Sequence, residues 1–266
     1  MGEPSSFNQR DIATRSRRAI IVGGGTGLGL ASSLALAGAG WQVFITGRRE
    51  DRLAQAQAIH PAGSCHFEAG DGTVAADVQR VVNTCVRTLG GIDALVISAG
   101  QSGVGSVLQA DLAQLERIIQ ASVWPLFLYT QAAVPHMPAG GGSICAIASV
   151  TASVPQLERV AYCSAKAAVI GMVRQMALDL APLRIRVNSV SPSLVPTELS
   201  MNAIGRSSDP QALLAARIRS HPIGRIGTAE EVGQAVAWLC SDQAGWVTGQ
   251  DLVMDGGLSL TAAVPR

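Results

Sequence analysis

Several patterns are missing from this sequence, and each absence argues against a class of protein. No apolar run reaches the roughly 18 residues that a membrane-spanning helix requires. The formal net charge is only +1, which argues against nucleic acid or an anionic membrane as the main partner. The five cysteines form no C-x-x-C pair, and the four histidines show no metal-ligand spacing. We therefore expect free thiols in a cytoplasmic protein that lacks a signal peptide, and we expect no metal.

Aromatic residues and lysine are also scarce. Aromatic residues make up 4% of the chain while glycine and alanine are abundant, which suits helices packed closely on a sheet better than a β-sandwich. Lys166 is the only lysine, and it follows one of the two tyrosines, Tyr162, by four residues. A chain that otherwise uses arginine has kept one ammonium, which indicates a task that a guanidinium cannot perform.

Short apolar runs alternate with helix-length segments along the whole chain, at residues 19–22, 43–45, 65–69, 94–97, 144–147, 185–190 and 252–254. This alternation predicts an α/β fold with a doubly wound parallel sheet of about seven strands, in a single domain over residues 17–266. Residues 1–16 are polar and are predicted to form a disordered tail. Residues 193–222 fit the alternation least well and contain several prolines, so we predict a flap with short helices there.

The Tyr162 and Lys166 pair is predicted to lie on one face of a helix that covers residues 159–180, because residues four apart on a helix stand one above the other. A tyrosine hydroxyl with a pKa near 10 exchanges protons poorly at neutral pH, and a nearby ammonium is expected to lower that pKa. The alternative is a surface lysine beside a packed tyrosine.

A glycine-rich loop follows the first predicted strand and precedes a helix, from Gly23 to Gly29. Such a loop lets the backbone approach a pyrophosphate at a helix N-terminus. About 20 residues further on, where an acidic residue would hold the ribose 2′-hydroxyl of NAD, the sequence has Arg48 and Arg49 instead. Their charge favours the 2′-phosphate of NADP, with two solvated arginines at a helix start as the alternative.

Together these residues resemble the short-chain dehydrogenase/reductase family, from about residue 17 to residue 258. The family's G-x-x-x-G-x-G loop matches Gly23, Gly27 and Gly29, and its Tyr-x-x-x-Lys motif matches Tyr162 and Lys166. Its catalytic serine, thirteen residues before the tyrosine, matches Ser149; a turn or cap serine is the alternative. The resemblance implies a Rossmann fold and NADP(H) bound by Gly23, Thr26, Gly27, Leu28, Gly29, Arg48, Arg49, Asp71, Gly72, Ser98, Ala99, Gly100, Tyr162, Lys166, Pro192, Val195 and Thr197.

The resemblance also implies a reaction and an assembly. Tyr162 would exchange a proton with a ketone or secondary alcohol, Ser149 would hold the substrate oxygen, and Lys166 would lower the tyrosine pKa. Ser122 stands where the family usually has an asparagine, so a water-mediated proton relay from Lys166 is expected to be altered. The helices at 111–134 and 159–181 pair between subunits in this family, which implies a homotetramer, with a dimer as the alternative.

The substrate and two other functions stay open at this point. The flap residues Leu199, Met201, Ile204, Leu213 and Leu214, with Val154 and Leu157, predict an apolar pocket for a neutral ketone. Arg206, Arg217 and Arg219 leave open a phosphopantetheine-linked acyl chain at the cleft mouth. The alternatives to a reductase are a nucleotide-binding regulator or scaffold with little turnover, and a non-redox epimerase or dehydratase that uses the same tyrosine.

Overall fold

The structure, a computed structural model, describes residues 16–263. In this part of the chain, seven parallel strands form one sheet in the order β3-β2-β1-β4-β5-β6-β7. The predicted α/β class and doubly wound sheet are confirmed. The strands are β1 (Arg18–Val22), β2 (Gln42–Gly47), β3 (Cys65–Ala69), β4 (Ala94–Ile97), β5 (Gly142–Ile147), β6 (Ile185–Pro192) and β7 (Asp251–Met254). The predicted disordered tail lies, apart from Ser16, outside the described residues.

Strand β1 shows why helices cover both faces of the sheet. All five of its residues are buried, and successive side chains of a strand point to opposite faces. Ala19 and Ile21 belong to one hydrophobic cluster, whereas Ile20 and Val22 belong to another. A strand that is apolar on both faces, as β1 is from Ala19 to Val22, needs a helical layer on each side.

Eight α-helices provide these layers in the described chain. They are α1 (Gly27–Gly38), α2 (Glu50–Ala58), α3 (Ala75–Leu89), α4 (Leu112–Ala133), α5 (Val160–Leu180), α6 (Glu198–Gly205), α7 (Pro210–Arg219) and α8 (Ala229–Cys240). Buried residues of α1, α2 and α8 pack in the first cluster, and those of α3, α4 and α5 pack in the second. No helix among residues 16–263 is long and apolar enough to cross a membrane.

The winding of the sheet reverses between β1 and β4, which pair directly although β2 and β3 separate them in the sequence. In such sheets a ligand cleft forms beyond the carboxyl ends of the strands at this point. Gly23 follows β1 and Ser98 follows β4. The predicted short helices of residues 193–222 are present as α6 and α7, and they border the same cleft.

Candidate active site

One cleft of about 860 Å³ lies at the carboxyl ends of the strands and collects nearly all the predicted functional residues. This volume is at the upper end for ligand pockets, which span roughly 300–1,000 Å³. Every predicted cofactor-binding or catalytic residue lines the cleft except Gly29 and Ser122, and both of these are buried. Residues far apart in the sequence therefore meet in one place, as the motifs predicted.

The glycine loop fits the close backbone approach that a pyrophosphate requires. Gly27 has a φ of +56°, a backbone conformation that residues other than glycine rarely adopt. A Cβ atom at Gly29 would lie 2.2 Å from the carbonyl oxygen of Gly23, so only glycine lets α1 begin directly against the end of β1. Thr26 precedes the helix in extended conformation and its side chain makes no cap hydrogen bond. The N-terminal N–H groups of α1 and the helix dipole therefore face the cleft, a suitable place for phosphate.

Three arginines line the end of the cleft that follows β2. Arg48 and Arg49 were predicted there, and Arg52, in the first turn of α2, also lines this end. Arg49 makes a 3.4 Å contact with Glu198 and a 3.5 Å contact with Thr26. Arg48 has no such acidic partner among the described residues.

The loops after β3 and β4 form the next part of the wall. One carboxylate oxygen of Asp71 accepts hydrogen bonds from the Thr73 N–H at 2.9 Å and from its hydroxyl at 2.7 Å, which fixes the loop. A Cβ atom at Gly72 would lie 3.2 Å from Pro125, so this turn packs closely on α4. Gly23 passes equally close to the Ser98–Ala99 peptide, where a Cβ atom would lie 3.1 Å from the amide nitrogen.

Tyr162 and Lys166 lie one turn apart on α5 and both line the cleft, as does Ser149 after β5. The Ser149 hydroxyl accepts from the N–H of Thr151 at 3.2 Å and from its hydroxyl at 3.0 Å, and so caps a short 3-10 helix. The Lys166 ammonium is buried and donates to the carbonyl of Ile147 at 2.8 Å. Lys166 is thus not a surface lysine, which removes the alternative interpretation of the pair.

The pKa of Tyr162 differs from the sequence-based expectation. Burial raises it above its usual value of 10.0, while the neighbouring Ser149 hydroxyl and the Arg159 charge act in the opposite direction. The Lys166 ammonium lies 5.9 Å from the centre of the tyrosine ring and is directed at the Ile147 carbonyl. Desolvation of the phenolate is therefore the larger effect, and the hydroxyl carries its proton at neutral pH.

Ser122 lies behind Gly100, next to Lys166. A Cβ atom at Gly100 would be 3.4 Å from the Lys166 Nζ and 3.5 Å from the Ser122 Oγ, so the absence of a side chain there leaves a space that both polar atoms border. The Ser122 hydroxyl is buried and has no hydrogen-bond partner in the part of the chain that the structure describes. Buried polar groups of this kind are commonly satisfied by water, and the expectation that Ser122 alters the proton relay from Lys166 stays a prediction.

Burial lowers the pKa of Lys166 from 10.5 to about 8, which predicts a pH-dependent stability. Between these values the unfolded chain binds more protons at this position than the folded chain, so the contribution of Lys166 to the unfolding free energy rises with pH. We expect the unfolding free energy of the wild type minus that of Lys166→Met to increase by about 3 kcal/mol from pH 8 to pH 10.5.

Urea unfolding of the cofactor-free protein across this pH range measures the difference. Arg174→Met is the matched control, because Arg174 is exposed on the same helix and a guanidinium stays protonated throughout. If the difference in unfolding free energy between the wild type and Lys166→Met did not change with pH, the result would contradict a buried ammonium.

The flap contributes a second wall, only partly as predicted. Val195 and Thr197 line the cleft, together with Pro192 at the end of β6, and Thr197 caps α6 in a reciprocal arrangement with Ser200. Of the predicted apolar residues, Leu199, Ile204 and Leu213 line it, whereas Met201, Leu214 and Val154 do not. The Leu157 prediction was wrong, because its side chain is 95% exposed and borders a separate shallow depression.

Sequence reasoning missed several polar residues of the cleft. The cleft is also lined by Arg52, Arg117, Gln120, Gln156, Arg159, Ser193 and His221. Arg159 precedes Tyr162 by three residues, so its helical spacing could have placed it on the same side. Arg217 lines the cleft from α7, whereas Arg206 and Arg219 are exposed and do not.

A doubly wound parallel sheet with a glycine-rich turn after its first strand and a cleft at the switch point defines a dinucleotide-binding protein of the Rossmann type. Residues 23–259 match the profile of a family described as enoyl-(acyl carrier protein) reductase. The chain is 35% identical over 243 residues to 2-(S)-hydroxypropyl-CoM dehydrogenase 3 of Xanthobacter autotrophicus, covering 90% of this chain and 95% of that one. It is 34% identical over 250 residues to trans-4-hydroxycyclohexanecarboxylate dehydrogenase of Sinomonas cyclohexanicum, covering 90% and 91%.

The solved structure of aldohexose dehydrogenase from Thermoplasma acidophilum superposes with a TM-score of 0.84 at 30% identity, covering 95% of this chain and 97% of that one. The chain therefore belongs to the short-chain dehydrogenase/reductase family. It is an oxidoreductase of the dehydrogenase type, and dehydrogenases of this family use nicotinamide cofactors.

Proposed function

We propose that this protein interconverts a ketone and a secondary alcohol with NADP(H), using Ser149, Tyr162 and Lys166. The observation that carries the proposal is that these three side chains, from β5 and α5, line the same cleft as the glycine loop after β1. A phosphorylated dinucleotide fits three features of the cleft. They are the close approach of backbone at Gly29, the space beside Gly100 and the arginines after β2. When bound, its nicotinamide would supply or accept the hydride.

The chain's own residues would handle the proton and the oxygen. Tyr162, protonated at neutral pH, donates its proton to the substrate oxygen in reduction and recovers one in oxidation. The Ser149 hydroxyl accepts from Thr151 and so keeps its own proton available to donate to the same oxygen as charge develops. Lys166 and Ser122 border the space through which a proton returns to Tyr162.

The proposed preference for NADP rests on Arg48. Arg49 shares its charge with Glu198, whereas Arg48 has no ion pair among the described residues. Since a charge-assisted hydrogen bond contributes about 1.5–3 kcal/mol, we expect Arg48→Gln to weaken NADPH binding by about 10- to 100-fold and to leave NADH binding within about threefold.

Fluorescence titration with both cofactors measures this, with Arg87→Gln as the charge-matched control on the exposed face of α3. Equal binding of NADPH and NADH by the wild type would show that these arginines do not recognise the 2′-phosphate.

Relatives suggest the kind of substrate to offer. One is named for hydroxypropyl-CoM and another for a hydroxycyclohexanecarboxylate, so a panel should include open-chain and cyclic ketones, among them 4-oxocyclohexanecarboxylate. The test is NADPH oxidation that depends on the ketone and yields one alcohol per NADPH consumed. Tight NADPH binding without oxidation by any ketone would favour the regulator or the non-redox function.

We also propose a homotetramer in the cytoplasm. Helix α4 leaves Trp124 and Phe127 about half exposed, and β7, at the edge of the sheet, leaves Leu252 and Val253 partly exposed. Two separate apolar surfaces of this kind suit the two contacts that a closed tetramer needs. All five cysteines are unpaired, which suits a reducing compartment.

A further inference from the structure

Two cationic side chains, Arg159 and Arg217, line the cleft, and Arg217 contacts Gln156, which lies three residues before Arg159. Both are half-buried, and Gln156 lines the cleft with them. Neither guanidinium forms an ion pair with a carboxylate in residues 16–263. Arg159 is close enough to the reacting hydroxyl for its charge to lower the pKa of Tyr162. Uncompensated positive charge thus lies next to the point where the substrate would react.

The contacts of the two arginines leave most of their donors unused. Arg159 employs one nitrogen, Nη1, which donates to the Ser102 hydroxyl at 2.8 Å and to the Gly103 carbonyl at 3.3 Å. Arg217 makes a single long contact, from Nη2 to Oε1 of Gln156 at 3.4 Å. A guanidinium has five N–H donors in a planar fork, so both side chains can still bind a bidentate acceptor.

The rest of the cleft offers these arginines no counter-charge. Among the described residues, its only carboxylates are Asp71 and Glu198. Glu198 contacts Arg49 at the opposite end, and Asp71 is held by Thr73. Partly burying a cation without an anion costs free energy, and an anionic ligand group at this place would offset that cost.

We propose that Arg159 and Arg217, with Gln156, bind an acid group of the substrate. This inference rests on the proposed function and names its substrate class, an oxo or hydroxy acid with a small apolar body. Leu199 and Leu213 line the same cleft and would contact that body, while the reacting carbon is held at Tyr162. The expectation of a neutral ketone, made from the flap residues alone, is replaced by this class.

Arg159 has a structural role as well, because it ties the loop after β4 to the start of α5. A purely structural arginine would affect all substrates alike, whereas a subsite distinguishes charged from neutral ones. Among the described residues, the Arg217 guanidinium contacts only Gln156 and not that loop, and so Arg217 gives the cleaner variant.

The kinetic test compares 4-oxocyclohexanecarboxylate with its methyl ester as substrates for NADPH oxidation. We expect the wild type to prefer the acid. Arg217→Gln should lower kcat/KM for the acid by about 10- to 100-fold, mainly through KM, and change it for the ester by less than about threefold, whereas Arg159→Gln should lower it for both substrates but more for the acid. The control Arg87→Gln removes the same charge from an exposed position on α3 and should change neither. Equal losses for acid and ester would overturn the subsite.

A binding test separates this inference from the proposed function. Calorimetry measures the binding of cyclohexanecarboxylate and of cyclohexanecarboxamide to the NADPH complex of the wild type and of each variant. Carboxylate binding that Arg217→Gln abolishes supports the subsite even if no ketone is reduced, in which case only the proposed function fails. Ketone reduction with no preference for the carboxylate over the amide overturns the subsite and leaves the proposed function intact.

Discussion

Tyr162→Phe should lower kcat for ketone reduction by about 10²- to 10⁴-fold, the usual contribution of a positioned general acid. The substitution removes one hydroxyl from a half-buried ring in the cleft and leaves the glycine loop untouched. NADPH affinity should therefore stay within about threefold of the wild type, because the arginines and the loop that would hold the phosphates are unchanged. Steady-state kinetics and a cofactor titration on the same preparation measure both quantities.

The chain provides its own control in Tyr129, the other tyrosine. Tyr129 is fully buried on α4 and does not line the cleft. Tyr129→Phe should thus leave kcat within about twofold, since the hydroxyl that it removes lies outside the cleft and its loss costs only about 1 kcal/mol of stability. Similar activity in Tyr162→Phe and Tyr129→Phe would exclude Tyr162 as the proton donor.

Gly29→Ala should both destabilise the fold and abolish tight cofactor binding. The new Cβ atom would lie 2.2 Å from the carbonyl oxygen of Gly23, 2.8 Å from its carbon and 3.1 Å from the Ser98 Cβ. Two of these neighbours are backbone atoms, so α1 must move away from the end of β1. We expect the unfolding free energy to fall by about 3 kcal/mol, near the upper end for overpacking, and NADPH affinity to fall at least about tenfold.

Gly38→Ala, at the other end of the same helix, is the matched control. Gly38 is exposed, and a Cβ atom there would meet no atom within 4 Å. Since alanine is the better helix former, this variant should be neutral or more stable by up to about 1 kcal/mol. Chemical unfolding and NADPH titration of both variants provide the comparison. A Gly29→Ala protein with normal stability and affinity would show that the loop does not have this geometry.

The layout of the fold could be read from the sequence because its signals are local. Each strand is a short apolar run between polar segments, and all seven predicted runs fall within the observed strands. The requirement for glycine at position 29 is likewise fixed by the strand that ends just before the loop and the helix that begins within it. The spacing of Tyr162 and Lys166 is set by one helix, so their relative position could also be predicted without knowledge of the tertiary structure.

The character of the substrate end could not be read in this way, because it depends on how distant elements meet. Arg217 lies on α7, Gln156 lies before α5, and their proximity follows from the way the flap helices fold back over the cleft. Leu157 looked like a pocket residue only by its sequence neighbours, and the turn around it directs it outward. The pKa of Tyr162 was misjudged because burial cannot be estimated from the charge of one neighbour.

The most direct test of the proposed chemistry follows one deuterium atom. NADPH that carries deuterium at the transferable position is incubated with the ketone panel and the wild type, and the alcohol is analysed by mass spectrometry. Hydride transfer at this site predicts that the wild type forms alcohol with one deuterium on the carbinol carbon. Tyr162→Phe should form almost no labelled alcohol in the same time. Bound NADPH that keeps its deuterium with every ketone would contradict a reductase and favour the regulator or the non-redox function.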